Sequence, residues 1–142
     1  MMNAHYMRDA LKVRFNNVKM VFNKTVNNGC SKRRPDVRIE CLTHTIIVEC
    51  DENQHKNTSC EDMRMMELFQ DLGNRPLVVL RFNPDKYTDG DGCFKFTKTG
   101  NLSVNRKEWG VRIKCLSDRI EYYMKNIPNK EIIVERFYYN NI

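Results

Sequence analysis

The chain has 142 residues, of which 41% are hydrophobic and 30% are charged, and this is enough for one domain with a core of its own. It contains no apolar stretch near the roughly 20 residues that cross a bilayer. Its first residues, MMNAHYMRDALK, lack the apolar region of a signal peptide. These features argue against a membrane or secreted protein, and we expect a single intracellular domain over 1–142, cytoplasmic or nuclear.

The net charge of +6 favours a polyanionic partner, and much of it is local. In the segment SKRRPDVR, the basic residues Lys32, Arg33 and Arg34 stand directly before Pro35. Such a cluster neutralises the phosphates of a nucleic acid. A solvated surface loop explains the same composition, so the cluster alone does not decide between the two.

The six cysteines are scattered and form no CxxC pair, which argues against a disulfide scaffold and against a zinc ribbon. Cys30, Cys60, Cys93 and a histidine are residue types that could together hold a structural zinc ion. Without paired spacing we do not expect that site, and free thiols are the default interpretation.

The first half of the chain predicts a helix followed by three strands. Apolar spacing predicts the helix at about 6–16, and the alternating segment VKMVFNKTV predicts a strand at 18–26, although the same spacing allows one helix to continue to Phe22. The segments DVRIECL and TIIVECD then predict a β-hairpin, with strands at 36–42 and 45–51.

The second half predicts a helix, a strand, a loop and a final helix and strand. Thr58 and Glu61 form a capping-box pattern, and Gly73 stands where a helix should end. PLVVLRF predicts a buried strand, and residues 83–100 a long turn-rich loop. A long helix ending near Pro128 and the strand EIIVERFYY complete the order α, β, β, β, α, β, then α, β.

Three carboxylates are expected to meet at one end of the predicted hairpin. Asp36 begins one strand, and Glu49 and Asp51 end its antiparallel neighbour. Residues i and i+2 of a strand share a face, so Cys50 points away and offers only its backbone carbonyl. Carboxylates and carbonyls suit Mg²⁺, which activates water and stabilises charge on a phosphate under attack.

Two alternatives accompany this hypothesis. The acids also fit a role as strand caps paired with Arg33, Arg34 and Lys56, although like charges at one strand edge repel unless a cation compensates them. His55 has the pKa range of a general base, but it equally fits a plain loop histidine. His5 and His44 look incidental.

RPD, followed after twelve residues by ECD, resembles the PD-(D/E)XK nuclease superfamily. The longer pattern RRPD…IIVECDENQH…MRMMELFQDLG…LVVLRFNPD, over about 28–88, is similar to the very-short-patch-repair-like endonuclease branch and to short nuclease-like proteins of large DNA viruses. The resemblance implies an α/β, restriction-endonuclease-like αβββαβ core at about 5–88, with a mixed central sheet flanked by helices and a C-terminal extension at about 101–142. It also implies Asp36 as the central metal ligand, Glu49 as the second acid and His55 as the histidine of the branch.

The sequence departs from the superfamily pattern at two places. Asp51 stands where the pattern usually has the lysine that orients the attacking water. The acid that members often carry on the first helix is missing, unless Asp9 supplies it. The number of metal ions and the identity of the base therefore stay open.

Three further polar residues are candidates for the same site. Arg64 and Arg81 would either clamp a phosphate or pair with Glu67 and Asp51. Gln54 would either position a water molecule or a phosphate oxygen, or be an exposed amide.

The leading hypothesis is a DNA endonuclease that hydrolyses phosphodiester bonds with Mg²⁺ or Mn²⁺. Asp36, Glu49 and Asp51 would hold the metal, and His55 or Asp51 would accept the proton. Recognition of a long site would need a homodimer, the loop 83–100 or a partner protein. One alternative is an inactive nucleic-acid-binding module on a nuclease fold. Another is an RNA nuclease, which no aromatic ribonucleoprotein motif in the sequence supports. Homing, mismatch repair, recombination and host-genome degradation would all fit, as would a viral origin.

Overall fold

A computed structural model describes residues 2–23, 35–54 and 58–140, with side chains over 4–23, 35–54 and 63–140. The basic cluster Lys32, Arg33 and Arg34 lies outside the described residues. So do His55, Lys56 and the side chains of Thr58 and Glu61.

The secondary structure begins with a helix and a three-stranded meander and then alternates helices with strands. In chain order the elements are α1 (Met2–Arg14), β1 (Val21–Phe22), β2 (Val37–Glu40), β3 (Thr45–Cys50), α2 (Thr58–Asp71), β4 (Leu77–Phe82), β5 (Phe94–Phe96), β6 (Leu102–Val104), α3 (Arg106–Lys125) and β7 (Ile132–Phe137).

Five of the strands form one mixed sheet in the order β1-β2-β3-β4-β7. β1, β2 and β3 pair antiparallel, whereas β4 and β7 run parallel to β3. Parallel neighbours need a crossover connection, which α2 supplies between β3 and β4 and α3 supplies between β4 and β7. The predicted α/β fold, with a mixed central sheet and a C-terminal helix and strand, is confirmed.

Helices cover both faces of the sheet, which is why every residue of β3 and β4 is buried. One face carries Ile46, Val48 and Cys50 against residues of α1 and α3 such as Leu11 and Leu116. The other face carries a smaller cluster in which α2 packs on the sheet: Ile47, Met65, Leu68, Leu77 and Val79. Glu49 follows Ile47 by two residues and therefore faces the α2 side.

The predicted boundaries need three corrections. The first helix ends at Arg14, because the chain turns at 15–17, so the alternative of one helix reaching Phe22 is wrong. Within the described residues, the strand predicted at 18–26 is only Val21–Phe22. The predicted loop at 83–100 contains β5, which pairs with β6 in a separate hairpin.

The end of α2 follows the prediction. Gly73 has φ +79, a conformation that side chains with a Cβ rarely adopt, and its N–H donates to Gln70 O at 3.1 Å. Across the described residues, no helix is both long enough and apolar enough to cross a membrane.

Candidate functional site

Asp36 and Glu49 are neighbours at the edge of the sheet where β2 begins and β3 ends. Val37 pairs with Val48 in the antiparallel register, so Asp36 lies next to Glu49, near the end of β3. Its Oδ2 accepts a hydrogen bond of 2.8 Å from the backbone N–H of Cys50. The local register of the hairpin thus brings together two of the three predicted acids.

Glu49 is a buried acid, with 8% of its surface exposed. Burial, and after it the nearby charge of Asp36, raise the pKa of its carboxyl to about 8, against the opposing charges of Arg81 and Arg64. At neutral pH the carboxyl therefore holds its proton in the absence of an added cation. A buried acid beside a second acid is a feature more typical of functional sites than of cores.

Asp51, the third predicted acid, is engaged by other side chains. Arg81 donates to its two carboxylate oxygens, from Nε to Oδ2 at 2.6 Å and from Nη2 to Oδ1 at 3.2 Å. Tyr139 donates a short hydrogen bond from its hydroxyl to Oδ2. Arg81 itself is only 2% exposed. Two roles were expected for Arg81, a phosphate contact or an ion pair with Asp51. In the structure Arg81 forms the ion pair, which is buried and bidentate.

Gln54 is buried, so the alternative of an exposed amide is wrong. Its side-chain oxygen accepts a hydrogen bond from the backbone N–H of Asn140 at 2.7 Å. Its backbone N–H donates to the backbone carbonyl of Asp51 at 3.2 Å. Asn53 and Gln54 both have left-handed φ values, of 55° and 58°. This strained turn directly precedes His55, which lies outside the described residues, and strain of this kind collects at functional sites.

The C-terminal segment Tyr138–Asn140 is a part of the site that sequence reasoning missed. β7 runs parallel to β4, so its carboxyl end reaches the sheet edge that carries Glu49 and Asp51. Tyr138 then turns the chain at φ 65, and Tyr139 and Asn140 contact Asp51 and Gln54. The signal available in the sequence was the pair of tyrosines directly after a strand, since ligand-facing residues follow the carboxyl ends of parallel strands.

Arg64 approaches the same acids from α2. It is half-buried, it lowers the pKa of Glu49 by its charge, and within the described part of the chain its Nε is a buried donor without a hydrogen-bond acceptor. A buried donor that lacks an acceptor is costly, so a ligand oxygen would stabilise it.

The Cys50 thiol lies in the cluster on the opposite face, as the strand alternation predicts. Burial raises its pKa well above the ordinary range, and the charge of Asp36 adds to the effect, so the thiol stays protonated. At this position only the backbone carbonyl is left as a candidate ligand.

Asp85, which follows β4, is a further acid near this edge. Its Oδ2 accepts from Asn53 N–H at 2.8 Å. The pKa of Glu52 is raised by partial burial and then by the charge of Asp85. Asp9, the other candidate acid, is an exposed residue of α1.

Among residues whose side chains are described, no group of three or more His, Cys, Asp or Glu side chains is arranged to hold a metal ion. Of the four zinc candidates, Cys93 is a buried free thiol, and Cys30 and the side chain of Cys60 lie outside the described residues. The described site is therefore a pair of acids, Asp36 and Glu49, near Arg64, whose Nε has no hydrogen-bond acceptor among the described residues. Comparisons with known protein families, with curated proteins and with solved structures found no match to this chain.

Proposed function

We propose that this protein is a DNA endonuclease that depends on Mg²⁺ or Mn²⁺ and hydrolyses phosphodiester bonds. The observation that carries the proposal is the buried Glu49 beside Asp36 at the edge of a mixed αβββαβ sheet. Both the acids and the order of elements agree with the resemblance to PD-(D/E)XK nucleases.

The acid pair fits a divalent cation on electrostatic grounds. Burial and the charge of Asp36 hold the proton on Glu49, and a bound cation would reverse that balance by favouring two carboxylates. Asp36, Glu49 and the Cys50 carbonyl would hold the ion, which when bound supplies activation of water and charge stabilisation on the phosphate.

The remaining residues of the site would position the substrate. The buried Nε–H of Arg64 is free to donate to a phosphate oxygen, and Gln54 is fixed in the turn after β3 by its hydrogen bond with Asn140. Asp51 and Arg81 would act through their mutual ion pair, which fixes the turn that leads to His55. Lys32, Arg33 and Arg34 would bind the DNA backbone, and His55 would accept the proton.

The test is cleavage of supercoiled plasmid by the purified protein with Mg²⁺, with Mn²⁺ and with EDTA. We expect nicked or linear product only with a divalent ion, and none from Asp36→Asn, which keeps an acceptor for the Cys50 N–H. Asp118→Asn removes an exposed acid of α3 and serves as the matched control. Full activity in EDTA, or in Asp36→Asn, would refute the metal-dependent mechanism.

One observation favours the second candidate function, a catalytically inactive nucleic-acid-binding module. Asp51 replaces the usual lysine and is bound by Arg81 and Tyr139, so it is not free to act as ligand or base in this conformation. That candidate predicts DNA binding without cleavage and no gain in melting temperature on addition of Mg²⁺ or Mn²⁺. A nuclease that binds the cation in its native state should gain thermal stability.

A further inference from the structure

The hairpin of β5 and β6 projects a basic, aromatic tip from the protein. From Cys93 to Lys107 the segment carries four basic residues and no acid: Lys95, Lys98, Arg106 and Lys107. All four are exposed. Phe96 is also exposed, at 71%, although a lone apolar side chain of this size on a β-strand is expected to pack.

The base of the hairpin is anchored, so the tip is held in place. The ring of Phe94 lies 5.2 Å from the ring of Tyr6 and 5.3 Å from that of Trp109, measured between centroids. The turn at the tip is closed by hydrogen bonds from Thr97 N to Asn101 O at 2.7 Å and from Gly100 N to Thr97 O at 2.9 Å. The packed base contrasts with the exposed Phe96 two residues later.

The hairpin emerges from the sheet edge that carries the candidate site. Cys93 N–H donates to Pro84 O at 2.8 Å, and Pro84 lies two residues past the carboxyl end of β4. Asp85, the next residue, accepts from Asn53 in the turn after β3. The hairpin therefore begins at the same end of the sheet as Asp36 and Glu49, although its base packs against α1 and α3, on the face opposite the α2 side to which Glu49 points.

We propose that this hairpin is a nucleic-acid contact in which Phe96 stacks on a base that lies outside the duplex stack, while Lys95 and Lys98 contact the adjacent phosphates. The positive charge selects a polyanion, and the exposed aromatic ring of Phe96 offers a face to any unstacked base. The inference rests on the proposed function for its choice of substrate, and it narrows that substrate to DNA with single-stranded or unpaired bases.

Binding of the full-length chain, measured by fluorescence anisotropy in EDTA, tests the stacking without cleavage. The probes are a single strand, a perfect duplex and a duplex with one bulged base. We expect Phe96→Ala to raise Kd about 10- to 100-fold for the single strand and the bulged duplex, with a change below about threefold for the perfect duplex. Phe96→Trp should retain binding, and Leu42→Ala, which truncates a 98%-exposed residue at the opposite end of β2 and β3, should bind as the wild type does.

The two lysines are tested by the salt dependence of binding to the single strand. Changing Lys95 and Lys98 to alanine should reduce the slope of log K against log salt by about 1.4, at about 0.7 for each lost phosphate contact. The matched control changes Lys114 and Lys125, two exposed lysines of α3, and should leave the slope unaltered despite the same loss of charge.

The outcomes separate this inference from the proposed nuclease activity. Equal effects of Phe96→Ala on all three probes, or none, would overturn the inference even if the protein cleaves DNA with Mg²⁺. Loss of single-strand binding in Phe96→Ala, with no cleavage by the wild type, would support the inference and reject the nuclease. Absence of DNA binding by the wild type would overturn the inference outright.

Discussion

Replacing Glu49 with glutamine should remove a loss of stability that the metal-free protein suffers at alkaline pH. Burial and Asp36 raise the pKa of Glu49 from an ordinary 4.5 to about 8 in the folded protein. The folded state therefore binds a proton more tightly than the unfolded state does. The contribution of this group to stability is at its fullest below pH 4.5, falls as the pH rises from 4.5 to 8, and is lost above pH 8.

The size of the effect follows from the same values. Each tenfold change in proton affinity is worth about 1.36 kcal/mol, so the difference between 4.5 and about 8 corresponds to at most about 5 kcal/mol. Relaxation of water and side chains around an ionised buried group reduces such a value, which gives a working range of about 2–5 kcal/mol. Since a domain of this size is stable by about 5–15 kcal/mol, the wild type should be markedly weaker at pH 9 than at pH 5.

The assay is urea unfolding in EDTA at pH 5, 7 and 9, followed by circular dichroism. Glutamine keeps the shape of the side chain and cannot ionise, so Glu49→Gln should be more stable than the wild type at pH 9 and should lose this advantage at pH 5. Glu131→Gln, at an exposed acid just before β7, is the control for loss of one negative charge. Mg²⁺ should stabilise the wild type at pH 9 and have little effect on Glu49→Gln, because the cation needs the carboxylate.

Two results would refute this reasoning. If the difference between Glu49→Gln and the wild type is the same at pH 5 and pH 9, then Glu49 ionises normally and is not held in a buried protonated state. If Glu131→Gln produces the same pH-dependent gain, the effect belongs to the overall charge and not to the buried site.

Three further predictions concern the surroundings of this pair. Tyr139→Phe removes a hydrogen bond to a buried carboxylate and should lower the free energy of unfolding by about 1.5–3 kcal/mol, measured in urea, and an unchanged value would mean that Tyr139 does not hold Asp51 in solution. Changing Lys32, Arg33 and Arg34 together to alanine should weaken binding to all duplex sequences alike and reduce the salt slope by about 0.9 for each lost contact, whereas an unchanged slope would place the cluster away from DNA. His55→Ala should lower the cleavage rate by about two to four orders of magnitude with metal affinity nearly intact, and cleavage within a few-fold of the wild type over pH 6 to 9 would exclude His55 as the base.

Elements with a strong local pattern were predicted well from the sequence. β3 and β4 are rich in β-branched and leucine residues, and α2 ends two residues before Gly73, a glycine with positive φ. The β5–β6 hairpin was missed because its strands have three residues each and mix exposed lysine and serine with apolar residues. Such short strands cannot be distinguished from a polar loop by periodicity, and their pairing depends on a tight turn at Gly100.

In the site, too, contacts between residues close in sequence were predicted, whereas contacts between distant residues were not. The neighbourhood of Asp36 and Glu49 follows from the register of one hairpin, so the sequence sufficed to predict it. Tyr139 is 88 residues from its partner Asp51, and their contact depends on β7 joining the sheet beside β4 and in parallel with it. Nothing local in EIIVERFYY specifies that position, because sheet order is decided by the packing of α3 and the whole core.

The ion pair of Asp51 and Arg81 bears directly on the missing lysine of the superfamily pattern. Register places Arg81 opposite Glu49 on the neighbouring strand, and its charge lowers the pKa of Glu49 against the effects of burial and Asp36. A cation therefore still lies beside the second acid, although β4 supplies it instead of β3. Because Asp51 is held by two donors and the guanidinium of Arg81 is permanently protonated, neither residue is free to take a proton from water. If the protein is a nuclease, the base must come from elsewhere, and the strained turn at Asn53 and Gln54 leads the chain from this ion pair directly to His55.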